Sequence, residues 1–176
     1  MNLLEAVQKN LGYEPLKMVD PNIQEIRNAR EMTPDQKLAQ AAIPAVLAAL
    51  IKYSDSTNGI NIMTGENEDW LKLIYQDKEN AAIRQVGDYA GKPQDETGDH
   101  MRKIATEAVR VVRDNVKTVD AEKLRSYMNS QRHTILNHLP AVLKMGDLLN
   151  EESFDDRTNK MEGPVSSFMH KIENIL

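Results

Sequence analysis

Short apolar clusters at helical spacing alternate with polar breaks along this chain, and no stretch alternates apolar and polar residues long enough to predict a strand. Leu3, Leu4, Val7 and Leu11 share one helical face, with Gly12 placed as a C-cap. Asp20-Pro21 reads as the start of a second helix carrying Ile23 and Ile26, with Asp20 as N-cap and Pro21 at the first helical position. Thr33-Pro34-Asp35 repeats that signal, with Thr33 as the cap. Leu38 to Ile51 is apolar on nearly every face, the pattern of a helix surrounded by others. Pro44 within it removes one backbone donor and is expected to bend the helix or divide it in two.

Ser54 to Asn67 is rich in Gly, Asn and Thr and reads as a loop. Trp70, Leu71, Leu73 and Ile74 predict one amphipathic helix, and Ala81, Ala82, Ile83 and Val86 another that ends near Gly91. Lys92 to Gly98 is the most polar connector and the expected boundary between two halves. A long helix is expected from about Asp99, with Met101, Ile104, Ala105, Ala108, Val111, Val112 and Val116 on its apolar face. Asp120 is placed to cap the next helix, which carries Leu124, Tyr127 and Met128. Ile135 to Leu149 reads as a second apolar helix, and Pro164 starts a last one with Val165, Phe168, Met169 and Ile172. The fold class is all-α: one compact bundle of about eight or nine helices over residues 1–176.

The two apolar helices share a motif. Ile43-Pro-Ala-Val-Leu47 matches Leu139-Pro-Ala-Val-Leu143, and Met63-x-Gly65 with Trp70-Leu71-x-x-Ile74 matches Met161-x-Gly163 with Phe168-Met169-x-x-Ile172. This suggests an internal duplication, with halves 1–91 and 99–176 packed about a pseudo-twofold axis. The alternative is that similar packing tasks recruited similar residues.

Composition narrows the function classes. No Cys is present, so disulfides, thiolate zinc sites and cysteine nucleophiles are excluded. The N-terminal residues lack a basic region followed by an apolar stretch, and the longest apolar run, 14 residues interrupted by Gln40, is short of the about 20 needed to span a bilayer. A soluble, cytoplasmic protein without membrane association is the expectation. Glu96 and His100 are one helical turn apart, but no Glu-x-x-His or His-x-x-x-His provides the further ligands of a metal site. A calcium loop starting at Asp55 fails because Ile60 occupies the position that needs Gly. Phosphate loops, nucleophile elbows and dinucleotide fingerprints are also missing, so neither a cofactor nor enzymatic activity is expected.

Charge adds one candidate surface. The net charge is −5, yet residues 101–133 carry an excess of basic side chains. Lys103, Arg110, Arg113 and Lys117 recur at helical spacing with Arg102 beside them, a candidate partner-binding basic face. Glu107 and Asp114 lie on the same side and no aromatics interleave for base stacking, which argues against nucleic acid.

Ile135-Leu136-Asn137-His138-Leu139-Pro140-Ala141-Val142-Leu143, preceded by the Asp120 helix and followed by a polar loop, resembles the YidB-like bacterial proteins, and Leu38 to Leu50 is similar in the same way. The resemblance implies a helical fold and a bacterial source, and it transfers no catalytic residues. A non-enzymatic protein-interaction or structural role follows as the expected function, with a small apolar ligand held among Met and Ala side chains as the alternative.

Overall fold

A computed structural model describes residues 1–155, and these are all-α. They form seven α-helices of five residues or more, one single-turn helix and short 3-10 turns, with an isolated Asp20–Glu25 bridge the only strand-like pairing among the described residues. Asn2 opens the first helix, α1 (Leu3–Asn10), by accepting a hydrogen bond from the Glu5 N–H at 2.9 Å. Gly12 closes it at φ +73°, and Leu3, Leu4 and Val7 point into the core.

The helix expected from Asp20-Pro21 does not form. Asp20 instead folds back on its own turn, accepting from the Asn22 N–H at 2.8 Å and pairing with Arg27. An aspartate bonding two residues onward stabilises a turn in competition with a helix. Gln24 and Asn28 then take left-handed φ of 56°, which a continuous helix forbids. Ile26 is buried by this turn, while Ile23 is left on the surface.

Thr33 starts α2 (Pro34–Asp55) with a full capping box: its hydroxyl accepts from the Gln36 N–H, and the Gln36 side chain accepts from the Thr33 N–H at 2.9 Å. Every residue from Leu38 to Ile51 is buried. Pro44 does not divide α2, which runs through it as a single element. A break there would expose apolar surface on all sides, which outweighs one lost hydrogen bond.

The loop after α2 contains a one-turn helix, α3 (Asn61–Thr64). Asp69 caps α4 (Trp70–Tyr75), and α5 (Glu79–Ala90) ends at Gly91 with φ +67°. The polar stretch expected as a connector belongs largely to α6 (Gln94–Val116), in which Thr97 and Gly98 are already buried. Pro93 precedes this helix, and Asp95 and Glu96 in its first turn complement its dipole. Asp120 caps α7 (Ala121–Leu136) as expected, accepting from the Glu122 and Lys123 N–H groups.

The second apolar helix is interrupted. Helix α7 stops at Leu136, Pro140 is extended, Ala141–Leu143 forms a 3-10 turn, and α8 (Met145–Leu149) starts after Lys144 at φ 48°. Leu139 is pushed away from helical geometry by the following proline, and the freed backbone finds partners elsewhere. The His138 carbonyl accepts from the Gln40 side chain at 2.8 Å, and the Asn137 carbonyl accepts from the Val19 N–H at 2.7 Å. The two Pro-Ala-Val-Leu motifs therefore differ in conformation, one inside a helix and the other at a break. The rest of the proposed repeat, with the helix expected from Pro164, lies outside the described residues.

Helix α2 packs against α5, α6 and α7, while α1 covers α6. One apolar cluster runs from Leu3 to Phe154 and draws on both proposed halves, so the described residues share a single core. No helix among them is long and apolar enough to cross a membrane.

Candidate functional site

The five basic residues of the candidate face lie along α6 and its C-cap, but their charges are put to different uses. Arg102 reaches Glu79 at 3.1 Å and Asp99 at 3.5 Å, with Asp69 at 4.0 Å. Arg110 lies between Glu107 at 2.6 Å and Asp114 at 2.7 Å, and its hydrogen bond holds the Glu107 carboxyl below the usual carboxylate range. Arg113 turns inward. Its Nε donates to the Ile62 carbonyl at 2.6 Å, another guanidinium nitrogen donates to the Gly65 carbonyl, and its carbon sits 5.4 Å from the centre of the Trp70 ring. It thus ties the α3 segment and Trp70 to α6.

Lys103 is exposed, as is Lys117, which holds φ 61° at the end of α6. Neither makes an ion pair among the described residues. A continuous cationic face is therefore not assembled: two of the five charges are balanced by carboxylates and one is used structurally. Glu107 and Asp114 could be read from helical spacing, whereas Asp69, Glu79 and the Ile62 and Gly65 carbonyls are brought in by tertiary packing.

A cleft of about 330 Å³ lies between residues 12–17 and the first turns of α2. Tyr13 bridges it to α6, its hydroxyl 2.6 Å from His100 Nδ1, and burial pushes the phenol pKa up. Lys92 joins Asp35 at 2.6 Å and Glu96 at 2.9 Å, and the hydrogen bond to Lys92 holds the Asp35 carboxyl low. Glu96 and His100 thus have separate partners, and among the described residues no three His, Asp or Glu side chains are placed to hold a metal ion. At the base of the cleft the fully buried Gln40 is satisfied: its Oε1 accepts from the Lys17 N–H at 2.8 Å, and its Nε2 donates to the Lys17 and His138 carbonyls. These hydrogen bonds and ion pairs tie residues 12–17, the start of α2 and α6 together.

A second cleft, of about 520 Å³, lies between the end of α2 and α4 and is lined by Tyr53, Asn58, Glu68, Asp69, Lys72 and Asp77, among others. Both clefts are open to solvent and carry charged side chains.

The surface feature that sequence patterning did not single out is a loop platform. Met18, Ile23 and Val142 are each more than half exposed. They lie on two loops joined by the Ala141 N–H to Gln24 carbonyl bond, the Val142 N–H to Glu25 carboxylate bond at 2.9 Å, and the Val19 to Asn137 bond. Beside them on α5, Tyr89 is crowded by burial and by Glu25, and its pKa is pushed up to about 12. Ile23 was expected on the core face of a helix; the Asp20 turn puts it outside. Compared with protein-family models, with curated proteins and with solved structures, this chain has no match.

Proposed function

We propose that this chain acts by binding another protein through the loop platform, without catalysing a reaction. The observation that carries this reading is the exposure of Met18, Ile23 and Val142 on loops fixed by backbone hydrogen bonds. Large apolar side chains presented on an ordered surface favour association, because their burial against a partner releases water at little ordering cost. The two clefts are open to solvent and not enclosed, which favours a protein partner over a small apolar ligand buried within the bundle. The YidB-like resemblance fits a role without catalysis, although the segment that carries it leaves the helix after Leu136.

The test is native co-purification with mass spectrometry, comparing the natural chain with an Ile23→Asp, Val142→Asp double variant. Both side chains are exposed, so the stability of the variant should stay within roughly 0.5 kcal/mol per site. The variant is expected to lose a protein that the natural chain retains. Retention of the same partner by both, or of a small molecule alone, would overturn the reading.

A further inference from the structure

We propose that Asn58-Gly59 is a modification site, where the chain deamidates itself through a cyclic imide when the Ser56–Asn61 turn opens. Gly59 is fixed by packing: it is buried, and a Cβ built on it would lie 2.3 Å from the Ser54 carbonyl oxygen, with backbone atoms on the same side. No other residue fits without moving the end of α2. The same missing side chain leaves the Gly59 nitrogen unhindered, which favours attack on the residue before it. Asn58 is exposed, and its amide makes no hydrogen bond among the described residues.

The reaction needs no partner but water. The Gly59 backbone nitrogen attacks Cγ of Asn58; the N–Cγ bond forms, the Cγ–Nδ2 bond breaks, and ammonia leaves carrying the nitrogen's proton. Water then opens the imide at one of its two carbonyls. One product is aspartate at position 58; the other is isoaspartate, whose main chain runs through the former side chain.

The closed turn holds this reaction back. The Gly59 N–H donates to the Ser56 carbonyl at 3.1 Å, the Asn61 N–H to the Asn58 carbonyl at 3.0 Å, and the Ile62 N–H to the Gly59 carbonyl at 3.0 Å. These bonds engage the Gly59 N–H and hold the turn closed, so attack on Cγ waits on local opening. Either product alters the surroundings. Aspartate adds a carboxylate to the cleft that already holds Glu68, Asp69 and Asp77. Isoaspartate lengthens the main chain by one methylene within the hydrogen-bonded Ser56–Asn61 turn, which shifts the register of its bonds.

Peptide mapping by mass spectrometry of the full folded chain, incubated at mildly alkaline pH beside a urea-denatured sample, tests the proposal. The first amide lost should be that of Asn58, with isoaspartate among the products. Its rate in the folded chain should be at least roughly tenfold below that in the denatured chain and should rise in sub-denaturing urea. Asn58→Gln, with its fold checked by circular dichroism, should remove the product. Equal rates in folded and denatured chains, or earlier loss at another asparagine, would overturn the proposal.

Discussion

Gln76 joins α4 to the turn before α5 at φ 52° and ψ −125°, a backbone region suited to glycine. Holding a residue with a Cβ there costs on the order of 1–3 kcal/mol, of which glycine's extra unfolded-state freedom offsets part. Gln76→Gly is therefore expected to stabilise the protein by about 1 kcal/mol in denaturant titration. Ionisation makes a second prediction at this scale. Burial raises the Tyr75 phenol, whose hydroxyl donates to the Ala45 carbonyl at 2.8 Å, and burial together with Glu25 pushes Tyr89 up to about 12. Unfolding returns both to about 10, so their contribution is complete below that pH and is lost as pH rises through the folded values. Glu107, held low by Arg110, has the opposite sign: its contribution is present above its unfolded value of 4.5 and is lost as pH falls through its lowered folded value. Urea unfolding at stepped pH should show a plateau between these limits, with phenolate absorbance rising alongside the alkaline loss.

Among the elements, helix starts were the most legible, because a cap is a local event. Thr33 and Asp120 act as their residue types predict, and Gly91 ends α5 where expected. Asp20 departs from its N-cap expectation because its carboxylate has two local options, and the turn that buries Ile26 selects the other. The two prolines share a local sequence and diverge in context: Pro44 lies within a helix enclosed on all sides, while the backbone before Pro140 gains bonds to Gln40 and Val19. Arg113 shows the same limit for the candidate face, since helical spacing gave its position but not the carbonyls it meets. Gln40 is the residue on which this level of organisation depends, tying α2 to residue 17 and to the break after α7. Gln40→Ala leaves three backbone groups without their partner and is expected to cost about 2–3 kcal/mol in denaturant unfolding.

At the scale of the whole molecule, the enclosed helix decides how closely its neighbours approach. Ala41, Ala42, Ala45, Ala48 and Ala49 are all fully buried, and their small side chains admit α5, α6 and α7 to one axis. Ala48→Leu should therefore overpack the core and lower stability by about 1–3 kcal/mol, seen as an earlier midpoint in thermal or urea unfolding. The order in which the chain is made adds a consequence. Synthesis completes α2 at Asp55, whereas α5 ends at Ala90, α6 at Val116 and α7 at Leu136. As it leaves the ribosome, the Leu38–Ile51 stretch has only α1 ahead of it and precedes the α5, α6 and α7 walls that will enclose it, so the growing chain offers that stretch to chaperones until α7 has emerged.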